Sequence, residues 1–400
     1  MRIKAVAYVL LLSAGGCEKT DPLFCKMNPG ATGCAMPDPD AAAVDGDSMM
    51  ELDARVCFGV GGYEVCLPQA PMSPVVLASG NVFDTSATVT QTPPCLAVQP
   101  TSWKDAGQAD ACFIVGTSIT IDGGFSVTGS RPLVLLAATT IAVNADIDVA
   151  SHVNDKIGPG APSPLCTNFT TVPTDSTSGA GGGAGGTFIT QGGSGGTGDN
   201  TSNSAGAPIN AIAAPSVLRA GCSGQDGGTG TGGQGSQGVG GAAGGAVLLL
   251  AGTSITISSG VTINASGAGS VRPPNKFAGG GGGGAGGMIV LSSPMITATG
   301  AFLMANGGGG SSGAEDTGSG NALDGEDPIP GMPTTRANGG NGSDNAGSGG
   351  DGWIEGDAAG GTGGSGQSNR AGGGGGGGGG YIRTNVASGA TASPMPAVIP

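Results

Sequence analysis

The sequence predicts an all-β protein with a parallel β-helix or solenoid-like core and long glycine-rich lateral loops. Two observations support this fold class: an unusual composition and a repeated pattern of alternating apolar residues. Of the 400 residues 86 are Gly, and only 10% are charged, whereas about 25% of the residues of an average protein are charged. The net charge of −14 comes with no basic stripe that could neutralise phosphates, which argues against nucleic-acid binding.

The first residues predict an exported chain. A basic start is followed by the apolar run 5–12 and by small residues that end at Cys17. This order is typical of a secretory signal peptide, predicted at 1–16, because the apolar run is too short to span a bilayer. The residues before Cys17 resemble the lipobox of bacterial lipoproteins, although Ala14 stands where that motif usually has Leu. The resemblance implies a lipid on Cys17; ordinary cleavage, with Cys17 as a free or paired thiol, is the alternative.

The cysteine count predicts disulfides. Eight cysteines remain without Cys17, and an even number in an exported chain suggests four bridges. A two-residue turn at Gly61 and Gly62 would place Cys57 opposite Cys66 in a non-hydrogen-bonded pair, where the Cα atoms lie close together. We predict sequential pairing: Cys25 with Cys34, Cys57 with Cys66, Cys95 with Cys112, and Cys166 with Cys222.

The chain before the repeat divides into two parts. Residues 17–54 are rich in Pro, Asp and Ala, which predicts an acidic, solvated tether between the lipid anchor and the folded protein. Residues 55–112 contain the predicted hairpin and predict a small disulfide-bonded β region. The rest of the chain, 113–400, is predicted to form the solenoid-like domain.

Four segments of this domain align without gaps, beginning at Gly116, Ala138, Gly252 and Ser293. Each contains two stretches of alternating apolar residues around a small-residue corner, and the last three follow an apolar run. Alternation places one set on the buried face: Ile255, Ile257, Val261 and Ile263, with Phe302 and Met304 at equivalent positions of the last copy. Stacked copies would bury this face, as in a parallel β-helix, and a sandwich of hairpins is the alternative.

Most of the glycine lies in inserts between the copies. The predicted inserts are 153–245, 267–287 and 307–380, and 69 of the 86 glycines fall between 179 and 380. Each insert leaves after one copy and returns just before the next buried strand, so we expect lateral excursions from the stack. Two structures are compatible with them: flexible loops, since glycine loses the most entropy on ordering, and packed extended helices of three residues per turn, of the polyglycine II type.

Several short motifs of this domain resemble those of uncharacterised glycine-rich exported lipoproteins of myxobacteria. The motifs are Arg131-Pro-Leu-Val-Leu, Asp148-Val-Ala-Ser-His152, Gly158-Pro-Gly-Ala161, Leu218-Arg-Ala-Gly-Cys222, Asn264-Ala-Ser-Gly267 and Ala305-Asn-Gly-Gly308. The resemblance spans about 113–385 and implies no known activity. The glycine tracts are also loosely similar to those of mycobacterial PGRS surface proteins and of phage-tail adhesin tips.

Candidate catalytic residues are few. Asp146 and Asp148 lie two apart on one predicted strand and are the best local carboxylate pair for glycan cleavage, which needs an acid and a base. A solvated strand edge explains them more simply. His152 is the only histidine, which argues against a Ser-His-Asp site, and we expect it to be a polar residue at the start of an insert. No residue is therefore assigned a catalytic role.

Metal and sugar sites have equally little support. The chain contains no Cys-x-x-Cys and a single His, so we expect no zinc site. Residues 339–346 fit one turn of a calcium-binding nonapeptide repeat, but Ala346 replaces the large apolar residue and no tandem copy follows. Two tryptophans, Trp103 and Trp353, are too few to predict an aromatic surface that stacks on sugars. We therefore predict no metal and no cofactor.

These observations predict a lipid-anchored protein of the bacterial cell envelope, on the outer membrane or the cell surface, with a structural, adhesive or matrix role. Its expected partners are the membrane, through the lipid on Cys17, and envelope polysaccharide or other surface proteins. The alternative is a β-helix protein that binds or cleaves polysaccharide. No enzymatic activity is predicted.

Overall fold

The computed structural model describes residues 55–399, apart from 79, 81, 87–91, 162, 167–168, 232, 234–235 and 317–320. The predicted signal peptide (1–16), the lipid site Cys17, the tether (17–54) and the Cys25–Cys34 pair lie outside the described residues. The described residues all belong to one compact unit. They are almost entirely β-strand and irregular structure, with one five-residue helix among them.

The elements follow the chain in this order. The N-terminal part contains β1 (Val56–Phe58), β2 (Val65–Leu67), β3 (Val75–Leu77), β4 (Phe83–Asp84) and the helix α1 (Thr101–Asp105). Two turns of the repeat follow as β5 (Cys112–Gly116), β6 (Ile119–Ile121), β7 (Phe125–Thr128), β8 (Leu133–Ala137), β9 (Thr140–Val143) and β10 (Ile147–Asp148). The later turns are β11 (Ala246–Ala251), β12 (Ser254–Ile257), β13 (Thr262–Asn264), β14 (Met288–Ser292), β15 (Met295–Thr297), β16 (Phe302–Met304), β17 (Tyr381–Thr384), β18 (Thr391–Ser393) and β19 (Ala397–Val398).

Three parallel sheets contain all strands except the β1–β2 hairpin. Sheet 1 has the order β5-β8-β11-β14-β17-β19, sheet 2 has β3-β6-β9-β12-β15, and sheet 3 has β4-β7-β10-β13-β16-β18. From β5 to β16 the chain visits sheets 1, 2 and 3 in turn and returns each time to sheet 1 beside its previous strand. In the last turn it passes from β17 in sheet 1 directly to β18 in sheet 3 and then to β19 in sheet 1. This all-β, parallel order agrees with the predicted solenoid-like fold class.

Two apolar clusters lie on opposite faces of sheet 1. The first draws alternate residues from all three sheets, including Leu135 of sheet 1, Ile141 of sheet 2 and Ile147 of sheet 3. The second joins the other face of sheet 1, including Leu248, to Tyr63 of the hairpin region. Because both faces of sheet 1 are buried, its strands are continuous apolar runs, whereas those of sheet 2 alternate.

The register of sheet 3 departs from the gapless alignment. Ile263 lies beside Leu303, and Leu303 lies beside Ala392, so the prediction that Phe302 and Met304 share the face of Ile263 is wrong. The corner glycines explain the shift. Gly260, Gly300 and Gly389 all have positive φ, and each precedes its core residue by three positions. The left-handed corner therefore sets the register, since glycine adopts this conformation at little cost.

The predicted boundary between 112 and 113 does not separate two domains. β3 pairs with β6, and β4 pairs with β7, so residues from the 55–112 region extend sheets 2 and 3. The structure also has a further turn, β17 to β19. A buried strand after the insert that ends at 380 is predicted and is present as β17, but the sequence pattern did not reveal β18 and β19. The second stretch of this turn reads Ala390-Thr-Ala-Ser, and small side chains give too little hydropathy contrast for the alternation to be recognised.

The hairpin has the predicted register but a wider turn. Cys57 lies opposite Cys66 with their Cα atoms 4.0 Å apart. The predicted two-residue turn is wrong, because residues 59–64 connect the strands and include a 3₁₀ turn at Gly61–Tyr63. Disulfides join Cys57 to Cys66, Cys95 to Cys112 and Cys166 to Cys222, the same pairs that the sequence predicts.

Removing the Cys166–Cys222 bridge should destabilise the protein more than removing Cys57–Cys66. The paired cysteines are 56 and 9 residues apart, respectively. A longer closed loop removes more entropy from the unfolded chain, and the expected difference is about 1.5 kcal/mol. Urea unfolding of the two double Cys→Ala variants measures it. An equal loss in both variants would contradict the prediction.

Candidate functional site

The glycine-rich inserts consist of extended stretches that lie side by side. Three of them, 180–186, 277–286 and 372–378, run parallel and exchange backbone hydrogen bonds in a closed cycle. Each set of bonds advances by three residues along both partners. From the first stretch to the second, the N–H groups of Ala180, Gly183 and Gly186 donate to the carbonyls of Phe277, Gly280 and Gly283.

The two longest glycine-rich runs are each hydrogen-bonded to several other stretches. The run 371–380 exchanges hydrogen bonds with stretches 180–186, 193–196, 280–286, 305–314, 347–353 and 361–364. The run 278–287 does so with 180–186, 222–228, 238–244, 265–268, 308–314 and 372–378. We call these stretches together the glycine bundle. Most positions of these runs therefore have no room for a side chain, and the runs are glycine except at Ala278, Ala285 and Ala371.

Close approach of backbones requires glycine in these runs. A Cβ atom on Gly374 would lie 1.8 Å from the carbonyl oxygen of Gly281, and one on Gly377 would lie 1.9 Å from that of Gly284. Neither distance is compatible with a real Cβ contact, and the obstructing atoms are backbone rather than movable side chain. The Cα–H groups of the bundle therefore point at neighbouring carbonyl oxygens, a weak but recurrent contact.

A peripheral stretch has a three-residue pattern of exposure. In 360–366, Gly360, Gly363 and Gly366 are buried, whereas Thr362 and Ser365 are exposed. Glycine is thus required only where a residue faces the bundle. Gly-Gly-x periodicity, as against uninterrupted glycine, is the sequence signal that could have distinguished peripheral from internal stretches.

A charged cluster lies where the inserts leave sheet 3. His152 Nε2 is 3.1 Å from Asp148 Oδ2, and His152 Nδ1 is 3.3 Å from Asp327 Oδ2. Lys156 Nζ is 3.0 Å from Asp148 Oδ2. Asp327 Oδ1 accepts hydrogen bonds from the backbone N–H of Gly269 and of Val153. The cluster, which we call the charged junction, therefore ties the starts of the first two inserts, at Val153 and Gly269, to Asp327 inside the third.

The junction alters the pKa values of its members. Hydrogen bonds to Asp148 and Asp327 raise the pKa of His152 to about 9, against the effect of burial. Burial opposes ionisation of Asp148, but His152 and Lys156 outweigh it and the pKa of the Asp148 carboxyl is lowered. Burial lowers the pKa of Lys156, opposed by Asp148. An ionised aspartate and a protonated histidine are thus the stable forms at neutral pH.

Asp146 and Asp148 contact different partners. Asp146 is exposed, and its Oδ1 accepts a hydrogen bond of 2.7 Å from the backbone N–H of Thr262. Asp148 is engaged in the charged junction. The simpler explanation, a solvated strand edge, holds for Asp146 alone. His152 lies at the start of an insert as predicted, but no local pattern indicates its contact with Asp327, which is 175 residues away.

The remaining sequence candidates have structural partners. Trp103 and Trp353 are buried, and their indole N–H groups donate to the carbonyls of Ala109 and Asp357. Neither forms a surface platform. In the 339–346 segment, the Asp344 carboxylate pairs with Arg370.

Potential metal ligands converge at one place among the residues that the structure describes. The cluster consists of Cys57, Glu64 and Cys66, and the two cysteines form a disulfide. A sulfur in a disulfide is not a thiolate, which is the form that binds metals. This cluster therefore does not fit a metal ion.

Comparisons with known proteins give no relative: no family model matches the chain, and neither a curated protein nor a solved structure matches it significantly. Within the described part of the chain, no helix has the length and apolar character needed to cross a bilayer.

Alanine at Gly374 should destabilise the bundle. The added Cβ would force apart the two central glycine runs, and overpacking a close-packed interior costs about 1–3 kcal/mol or more. Chemical unfolding of Gly374→Ala measures this loss. Gly124→Ala is the matched control, because a Cβ there has no atom within 4 Å. Wild-type stability for both variants would contradict the proposed close packing.

Stability should fall at alkaline pH because of His152. Its pKa is about 9 in the folded protein against an ordinary value of 6.5, so its contribution is complete below about pH 6.5 and is lost as the pH rises through 9. The shift corresponds to at most about 3 kcal/mol. The free energy of unfolding, measured from pH 6 to 10, should fall with rising pH in the wild-type protein. His152→Gln should lack the part of this slope that comes from His152. An unchanged slope in the variant would contradict the assignment.

Proposed function

We propose that this protein is a lipid-anchored component of the bacterial cell envelope with a structural, adhesive or matrix role. In this proposal a closed β-solenoid carries the glycine bundle, whose stretches are polyglycine II-type helices. The observation that carries the proposal is the burial of the glycine-rich inserts and their hydrogen bonding at three-residue steps. Most of the glycine lies in packed stretches rather than in flexible loops. Such packing is suited to a rigid structural protein.

The helix type is supported by the step of the hydrogen bonds. Polyglycine II has three residues per turn and no internal hydrogen bonds, so its N–H and C=O groups are available to neighbouring chains. The bonds between 180–186, 277–286 and 372–378 advance by three residues and join different stretches. The exposure pattern of 360–366 repeats with the same step. Both features follow from packed three-residue helices.

Export is supported by the disulfides, because such bridges persist in oxidising compartments and are rare in the cytosol. Three bridges join described parts of the chain. Lipidation of Cys17 and the tether supply the anchor in this proposal, and the expected partners are the membrane and envelope polysaccharide or other surface proteins. A structural role also accommodates the separate engagement of Asp146 and Asp148 by backbone and junction partners.

Surface location is tested by protease treatment of intact cells that produce the chain with a C-terminal peptide tag. We expect proteinase K to remove the tag from whole cells, and mass spectrometry to find an acylated Cys17 peptide in the membrane. A Cys17→Ser variant is the control, because it should be released from the membrane fraction while keeping its fold. A tag that is protected until the outer membrane is broken would place the protein in the periplasm and contradict an adhesive surface role.

A further inference from the structure

The Cys166–Cys222 disulfide lies against a buried cation that the proposed function does not use. Arg219 Nη2 is 3.2 Å from Cys166 Sγ and 3.4 Å from Cys222 Sγ. The guanidinium also stacks over the ring of Phe188, with Cζ 5.2 Å from the ring centroid, and its Nε donates a hydrogen bond to the carbonyl of Ala220. Only 7% of the Arg219 surface is exposed. The cation therefore lies directly beside both sulfur atoms and away from water.

The charge of Arg219 has no acidic counterpart among the described residues. None of the ion pairs that they form includes Arg219. Burial lowers the pKa of its guanidinium, and no neighbouring carboxylate opposes this effect. A buried charge is costly unless it is paired, and a disulfide sulfur is only a weak hydrogen-bond acceptor. A thiolate at the position of either sulfur would supply the missing negative charge.

The two sulfurs of the bridge differ in accessibility. Cys222 is 3% exposed, whereas Cys166 is half-buried and directly follows the exposed residues Pro164 and Leu165. An incoming thiol would therefore reach Cys166 Sγ, and Cys222 Sγ would be the leaving atom. A leaving thiol departs faster when its pKa is lower, and a neighbouring arginine lowers the pKa of a cysteine thiol. The half-buried position of Cys166 favours a small thiol over a cysteine on the surface of a folded protein.

From this arrangement we propose that the Cys166–Cys222 bridge is a thiol–disulfide exchange site for small-molecule thiols of the cysteine class, at which Arg219 stabilises the leaving thiolate. The thiolate of the small molecule attacks Cys166 Sγ and forms a mixed disulfide with it. The S–S bond to Cys222 breaks, and its electron pair stays on Cys222 Sγ as a thiolate paired with Arg219. The sulfur of the incoming thiol is oxidised and that of Cys222 is reduced, so the step needs no further oxidant. Attack by the Cys222 thiolate on the mixed disulfide restores the bridge and releases the thiol.

The Cys57–Cys66 bridge provides a comparison within the same chain. Cys57 is exposed, and one carboxylate oxygen of Glu64 lies within 4.8 Å of both sulfurs. A negative neighbour disfavours the thiolate form of a cysteine. This bridge is thus easier to reach than Cys166–Cys222 but has a poorer leaving group. If exposure alone decided reactivity it would exchange first, whereas the proposal predicts that Cys166–Cys222 does.

The test uses the folded full-length chain carrying Cys17→Ser, which removes the lipid site and its thiol. The protein is incubated with reduced glutathione at pH 7 and quenched with iodoacetamide, and its cysteines are mapped by mass spectrometry. We expect glutathione on Cys166 and the alkyl group on Cys222. Glutathione on Cys222 instead, or adducts on Cys57 and Cys66 only, would overturn the proposal. This map is measured without any variant of Arg219, so it does not depend on whether such a variant folds.

Variants of Arg219 separate the effect of its charge from that of its packing. Arg219→Met should slow formation of the mixed disulfide at least about tenfold, as expected for loss of a hydrogen bond to a charged group. Arg219→Lys keeps the cation and should retain most of the rate. Loss of packing alone would expose the bridge and accelerate exchange, so a purely structural role of Arg219 predicts the opposite change. Arg336→Met is the matched control, because Arg336 is an exposed arginine that pairs with Asp357.

An Arg219→Met variant that exchanges as fast as the wild-type protein, or faster, would contradict the assignment of Arg219. An equal slowing in Arg336→Met would contradict it as well. These measurements use purified protein and are independent of the protease experiment on cells. Failure of this inference and failure of the proposed surface role are therefore distinguishable.

Discussion

The close approach of glycine backbones is the constraint on which the rest of the structure depends. Buried N–H and C=O groups must be paired, and the inserts achieve this by bonding one another rather than forming helices or sheets. The pairing works only where no Cβ intervenes, as at Gly374 against Gly281. Ordering glycine carries a large entropic cost, which is offset because nearly every internal backbone group gains partners.

The parallel sheets arrange the bundle. Stretches 238–245, 278–287 and 371–380 lead into β11, β14 and β17, which are neighbouring parallel strands of sheet 1. The stretches are consequently parallel and run beside one another. Those that follow β13 and β16 leave from sheet 3 and run in the opposite direction to them. The order of the strands thus decides which glycine stretches can meet.

The polar contacts of the described residues stabilise this architecture. The charged junction joins two inserts where they leave sheet 3 to the interior of the third, with Asp327 accepting hydrogen bonds from the N–H groups of Gly269 and Val153. The second apolar cluster holds the disulfide-bonded hairpin against the outer face of sheet 1, with Arg383 stacked over Tyr63.

The sequence by itself determined the all-β class, the strand pattern of four copies and the pairing of the described cysteines, because alternation and spacing are local properties. It did not determine the register of sheet 3, which depends on the left-handed corners at Gly260, Gly300 and Gly389. Nor could it choose between flexible and packed glycine, since the same residue permits both. Only the tertiary structure decided this, and brought Asp327 to His152, because bonds between distant stretches leave no local pattern in the chain.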